Sequence, residues 1–232
     1  IYPEYKATRD DPPDDLFPQV DRCVALLKQI GVPILGAEGF EADDVIATLV
    51  TQLRAKHPDL RIRIISKDKD LKQLLQDSDH GVEMYDVHND ALITTETLKE
   101  ETGLSPAQVI DMLALMGDTV DNVPGIAGVG PKTAAKLIAE HGSLDAVLAA
   151  APTIKGKLGE RLELSRTLVS LRHDVPITLD LAIAQASKLD LAALGPILKE
   201  LGFNRYQDEV KALLGGAPAT DPALPASLDP TP

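Results

Sequence analysis

The apolar residues of this 232-residue chain change their spacing at Thr95, and that change limits the folds open to it. Before Thr95, short runs that suit strands alternate with runs at the helical interval. Phe17, Val20, Val24, Leu27 and Ile30 mark a first helix, closed by Gly31 and Pro33. Cys23 lies in it and reads as a packed thiol; as the only cysteine it rules out an internal disulfide and a cysteine-rich zinc site. Ile34-Leu35 reads as a short strand, 41–57 as a helix, and 62–66 and 82–87 as strands. His88-Asn89-Asp90 then turns the chain into Ala91-Leu92-Ile93. After Thr95 the pattern is helical, with helices expected from Ser105-Pro106, after Pro131, and over 144–150, 155–171, 191–201 and 205–214. The expectation is an α/β fold: a partial, parallel-type sheet with flanking helices over 1–94, then a helical region over 95–214. Residues 215–232, rich in Pro, Ala and Gly, read as a flexible linker.

Charge narrows the function. Asp and Glu number 36 against 23 Lys and Arg, a formal net charge of −13, which argues against coating nucleic acid through bulk charge. It leaves room for a local basic track and for carboxylates gathered around metal ions. The charged, proline-rich first fifteen residues read as a mobile loop or the foot of one. No apolar run is long enough to span a bilayer. The five histidines (His57, His80, His88, His141, His173) lack ligand spacing and read as surface or capping residues.

Three acidic sets stand out. In Glu41-Ala42-Asp43-Asp44, Glu41 and Asp44 would share a helix face while Asp43 points elsewhere; alone, this set reads as acids complementing a helix dipole. Asp68-Lys69-Asp70 follows a strand, where a capping turn and a metal site fit equally well. Asp118 and Asp121 close an apolar helix against its macrodipole, and that unfavourable placement points to a ligand role. Hard divalent cations take oxygen ligands, and a pair of them roughly 3.5–4 Å apart can activate water and steady the leaving oxygen of a phosphodiester.

Directly after the third set comes Asn122-Val123-Pro124-Gly125-Ile126-Ala127-Gly128-Val129-Gly130-Pro131-Lys132-Thr133-Ala134-Ala135-Lys136. Gly128 and Gly130 suggest a turn too tight for side chains, opening a helix whose first N–H groups can meet a phosphate. Ala134 and Ala135 allow a paired helix to approach, and Lys132 and Lys136 add charge on one face.

The stretch 116–136 resembles the helix-three-turn-helix of the 5′-nuclease (flap endonuclease) family. Glu41-Ala42-Asp43-Asp44 is similar to that family's acidic helix, Asp68-Lys69-Asp70-Leu71 with Gln73-Leu74-Leu75 to its strand-end motif, and Tyr2-Pro3-Glu4-Tyr5-Lys6 with Arg9 to the base of its helical arch. Within it, the chain most resembles the 5′→3′ exonuclease domains of bacterial DNA polymerase I, over 1 to about 203. The resemblance implies a PIN-like nuclease core and a structure-specific 5′ nuclease acting on 5′ ends or flaps of duplex DNA. It implies Mg²⁺ or Mn²⁺ as cofactor, two ions held by Glu41, Asp43, Asp44, Asp68, Asp70, Asp118 and Asp121, with a monovalent cation at the hairpin. Lys6 would contact the scissile phosphate, Tyr5 a displaced base, and Arg9 would belong to the arch. Gly125, Gly128, Gly130, Lys132, Thr133 and Lys136 would hold the duplex.

It further implies a covalently linked polymerase module, a monomer, and a bacterial cytoplasmic, nucleoid-associated setting. There are two departures. Lys67 stands where the family has a small residue. The family's first strand and second motif, each bringing an aspartate, would lie upstream of Ile1, so the chain is expected to be N-terminally truncated. Two other readings compete: a fragment that binds DNA through the hairpin without cutting it, and a magnesium-dependent phosphatase of the haloacid dehalogenase type, which also uses Asp-x-Asp after a strand.

Overall fold

The computed structural model describes residues 2–150 and 161–214. In chain order the helices and strands are α1 (Leu16–Gln29), α2 (Ala42–Lys56), β1 (Ile62–Ile65), β2 (Val82–Asp86), β3 (Ala91–Ile93), α3 (Thr95–Thr102), α4 (Val109–Met116), α5 (Pro131–His141), α6 (Leu144–Ala150), α7 (Arg161–Val169), α8 (Leu194–Glu200) and α9 (Asn204–Leu214). They form two compact units, one of Ile1–Asp11 with Leu35–Thr178, the other of Pro12–Ile34 with Leu179–Pro232.

In the first unit the sheet order is β1-β2-β3. β1 and β2 are parallel, with Ile62 opposite Val82, and β3 returns antiparallel along β2. The parallel pair puts the carboxyl end of β1 at Ser66, and the chain leaves it into a 3₁₀ turn, Lys69–Leu74, which carries Leu71 and Leu74 inward. α2 begins where Glu41 is still extended (φ −82°, ψ 159°), and it buries Val45, Ala47, Thr48 and Val50. α4 is apolar almost all round and is correspondingly enclosed, with Val109 and Met112 through Leu115 buried. Removing a side chain such as Leu113 from water contributes about 1.5–3 kcal/mol. One apolar cluster links Ala47 and Val50 of α2, Met84 of β2, α4, Ala134 and Ile138 of α5, and Val169 of α7. Because the core is continuous, the segments that leave it are held at fixed positions relative to one another.

The second unit contains α1, α8 and α9. Ile30 is buried there, and its carbonyl accepts the N–H of Asp190 at 2.9 Å. Cys23 is exposed, contrary to the packed thiol expected. An apolar stripe buries a neighbour only where another element is laid on it, and Phe17 and Val20 on α1 are themselves exposed. Ile34-Leu35 is not a strand: a strand needs a ladder partner, and none lies beside this segment among the described residues. Of the expected 155–171 helix, 155–160 lies outside the described residues, as does the expected linker, 215–232.

Candidate active site

Five separate stretches of the first unit meet around a cleft of about 530 Å³. Glu41, Asp43, Asp44, Asp68, Asp70, Asp118 and Asp121 all line it, together with Tyr5, Lys6, Arg9 and Lys69. The end of α7 and the chain beyond it, through Leu168, Ser170, Leu171 and Arg172, form the remaining wall.

Each carboxylate is placed by local chemistry. Asp44 Oδ2 accepts the N–H of Glu41 at 3.3 Å, and its Oδ1 accepts the N–H of Arg172 at 2.9 Å. Both oxygens of Asp44 therefore brace backbone, one of them a helix start. Glu41 and Asp44 meet as expected, in a reciprocal capping box at the start of α2, while Asp43 also lines the cleft instead of pointing elsewhere. Asp68 caps the 3₁₀ turn, its Oδ1 accepting the N–H of Asp70 at 3.0 Å. Asp118 Oδ1 takes the N–H of Val120 at 2.8 Å, so the acids expected to oppose the dipole of α4 sit in their own turn beyond Gly117.

The segment expected as a mobile loop or the foot of one is tied down over residues 4–9. Lys6 donates its N–H to the carbonyl of Asp121 at 3.0 Å, and Asn122 Nδ2 donates to the carbonyl of Glu4 at 2.7 Å. Lys6 (φ +60°) and Asn122 (φ +55°) both adopt left-handed backbone, a strained choice for residues with a side chain. That contact brings Tyr5, Lys6 and Arg9 to the third acidic set.

Among the described residues, three of the seven acids carry ion pairs: Glu41 with Lys6, Asp121 with Arg9, and Asp118 with Lys69. Burial opposes the charge of Asp118, but the hydrogen bond from Lys69 and the N–H of Val120 outweigh it and hold its carboxyl below the usual range. Asp70 behaves oppositely. Burial pushes it up to about 6, Lys69 works against the rise, and Asp68, Asp118 and Asp43 add to it. Burial also raises Asp43, helped by the charge of Asp68. The Oδ1 of Asp70 is buried with no hydrogen-bond partner among the described residues. Crowded carboxylates that raise each other's pKa, with one orphaned oxygen, are the donor set a hard divalent cation relieves. Among the described residues, no three His, Cys, Asp or Glu side chains form a closed ligand group. Burial lifts Tyr5 to about 12, so its phenol is neutral, and the Lys6 ammonium lies 4.7 Å from its ring centre.

The hairpin grows directly from the third acidic set. Asp118 and Val123 exchange backbone hydrogen bonds of 3.0 and 2.7 Å, and Ser165 Oγ donates to the carbonyl of Pro124 at 2.7 Å. The tight point is Gly117 against Gly125: a Cβ on Gly125 would lie 2.2 Å from the Met116 carbonyl oxygen. Gly128 and Gly130 are not crowded, contrary to expectation, since among the described residues a Cβ on either would meet nothing within 4 Å. Gly128 is needed for its φ of +83°, and Gly130 leaves the start of α5 open. Pro131 takes the first helical position, and Lys132, Thr133 and Lys136 are exposed on α5 while Ala134 and Ala135 are buried.

Sequence reasoning assigned no role to Lys69, although it stands inside the Asp68-Lys69-Asp70 motif, nor to Arg172, for which no local signal exists. Lys67 is exposed and does not line the cleft.

Residues 1–103 match the model of the 5′-3′ exonuclease N-terminal resolvase-like domain, and 104–192 that of the 5′-3′ exonuclease C-terminal SAM fold. A 5′-3′ exonuclease of Aquifex aeolicus is 38% identical over 218 residues, covering 92% of this chain and 71% of that protein. The chain belongs to the 5′–3′ exonuclease family. DNA polymerase I of Rhizobium leguminosarum is 40% identical over 233 residues, 97% of this chain but 22% of the relative. This exonuclease-family chain thus spans about a quarter of the polymerase relatives it matches. A solved T5 5′-exonuclease with divalent zinc ions bound superposes with a TM-score of 0.59 at 25% identity, covering 72% of this chain and 67% of that one. The mixed α/β sheet followed by a helical region is the fold of this family.

Proposed function

We propose that this chain is a divalent-metal-dependent, structure-specific 5′ nuclease that hydrolyses phosphodiesters at 5′ ends or flaps of duplex DNA. The observation that carries the reading is the meeting of seven carboxylates, distant in sequence, in one cleft from which the glycine hairpin directly emerges. Asp43, Asp68, Asp70, Asp118 and Asp121 would hold Mg²⁺ or Mn²⁺, two ions in all, with Glu41 and Asp44 acting from the wall. When bound, such ions polarise a phosphoryl oxygen and lower the pKa of water. The zinc in the T5 5′-exonuclease structure supports a divalent ion.

The chain's own groups do the rest. Lys6, held beside Glu41, places a positive charge where the scissile phosphate gains negative charge. Tyr5 would offer a neutral ring to a displaced base, and Arg9, paired with Asp121, would belong to the arch. Past Gly128 and Gly130, the free first-turn amides of α5 with Lys132, Thr133 and Lys136 grip the duplex strand, a monovalent cation assisting at the hairpin. We read 1–94 as nuclease core, 95–214 as the DNA-binding helical region and 215–232 as a linker. The polymerase relatives support a tether to a polymerase module, and we read the chain as a monomer working in the bacterial cytoplasm. No described helix is long and apolar enough to cross a membrane.

The test is incubation of the chain with a 5′-flapped duplex in Mg²⁺, beside Asp118→Asn and Asp121→Asn. We expect cleavage by the parent, its loss in both variants, and duplex binding in Ca²⁺ by all three. Variants that cut as well as the parent would falsify the assignment. The lack of a closed ligand group among the described residues favours a second reading, a fragment that binds DNA without cutting it. Robust turnover by the parent eliminates it.

A further inference from the structure

We propose that Arg172 is a preset contact for a backbone phosphate of the DNA strand entering the cleft, an inference that rests on the nuclease reading above. Among the described residues, four cations line the cleft: Lys6, Arg9, Lys69 and Arg172. The first three are each paired with a member of the acidic set. Arg172 is not. Its Nε and Nη2 donate to Asp174 Oδ1 and Oδ2 at 2.9 and 2.8 Å, and Asp174 lies outside the cleft lining. The charge of Arg172 is therefore answered chiefly by Asp174, with Asp44 adding a lesser attraction.

Its position is fixed from three sides. The backbone N–H of Arg172 donates to Asp44, and its carbonyl accepts from Thr48 Oγ1 at 3.4 Å. Thr48 Oγ1 also accepts the N–H of Val175 at 3.2 Å, so this stretch is bound to α2 at both ends. The guanidinium carbon lies 4.9 Å from the centre of the Phe40 ring, which holds one face. A guanidinium has five N–H donors in a plane, and Asp174 occupies only the Nε–Nη2 edge. The Nη1–Nη2 edge remains, a fork matched to two phosphate oxygens. The side chain is 57% exposed, so a strand can reach it. An arginine already held in place loses little freedom on binding, which makes it a better contact than a free surface lysine.

The experiment is fluorescence anisotropy of a labelled 5′-flapped duplex in Ca²⁺, from 50 to 200 mM KCl, with the whole chain and its Arg172→Gln and Arg172→Lys variants. Arg172→Gln is expected to weaken binding about five-fold and to reduce the slope of log K against log salt by about 0.9, the share of one phosphate contact. Arg172→Lys should recover the slope. A folded Arg172→Gln with unchanged affinity, or with weaker affinity at an unchanged slope, overturns the proposal, the latter because a merely structural role would look that way. If Arg172→Gln does not fold, Phe40→Leu takes its place: binding two- to three-fold weaker supports the preset contact, and unchanged binding ends it. A parent chain that binds no flapped duplex defeats the nuclease reading as well, whereas a parent that binds and a variant that binds equally defeats this inference alone.

Discussion

The acidic cleft and the glycine hairpin lie side by side along the chain at Asp121 and Asn122, yet they are built on opposite plans. The cleft is assembled from five stretches spread over 5–172, and its carboxylates shift each other's titration and are partly held by cations. The hairpin is one stretch, and it offers backbone and open glycine positions to the outside. In the cleft function depends on charges brought close in space, so a change at one acid is felt by its neighbours. In the hairpin it depends on backbone shape, so its glycines differ sharply in what they tolerate.

The largest expected effect tests that last point. Gly125→Ala places a Cβ 2.2 Å from the Met116 carbonyl oxygen and should destabilise the chain by about 3 kcal/mol or more, measured by denaturant unfolding. Gly130→Ala, with nothing within 4 Å, should change stability by no more than about 0.5 kcal/mol while weakening duplex binding in an anisotropy titration. If the two cost the same, the division of labour within the hairpin is wrong.

Asp70 tests the crowding in the cleft. Its carboxyl is protonated more readily in the folded chain, near 6, than in the unfolded one, near 3.8. The stability this contributes is complete below about pH 4 and is lost as the pH rises through 6. Asp70→Asn, which carries no charge to bury, should therefore be more stable than the parent at pH 7 without divalent ions, by about 1–2 kcal/mol after allowance for partial exposure. The difference should vanish near pH 4 in thermal melts followed by circular dichroism, and the variant should lose at least about 100-fold in cleavage.

Asp44 separates bracing from charge. Asp44→Ala removes acceptors from the N–H groups of Glu41 and Arg172 and should cost about 1–2 kcal/mol in denaturant unfolding. Asp44→Asn, which keeps one carbonyl oxygen, should cost less. The smallest effect is expected at Lys67: Lys67→Ala should shift stability by less than about 0.5 kcal/mol and leave cleavage rates as they are, because the side chain is exposed away from the cleft.

Much of the hairpin could be read along the chain because its determinants are local. Gly130-Pro131 starts α5, and the alternation of Ala134-Ala135 with Lys132 and Lys136 tells which face is buried. The error there was also local in kind: the spacing of Gly128 and Gly130 suggested a crowded turn, whereas the crowding falls between Gly117 and Gly125, which meet only after the chain has folded back. The seven acids were legible as three sets, but not as neighbours. Their common cleft and the pairing of Lys69 with Asp118 depend on α2 and α4 packing against the 3₁₀ turn, and the presence of Arg172 depends on the chain beyond α7 returning to α2 across more than a hundred residues.

The order of residues alone determined the starts of α1, α2 and α5, the turn at Gly128, the strands at Ile62 and Val82, and the acidic clusters, since these follow from backbone sterics and the spacing of apolar side chains. Folding in three dimensions decided which carboxylates crowd, which cations answer them, and that Cys23 stands open to solvent. Burial and Coulomb forces depend on distance through space, and separation along a chain does not measure that distance.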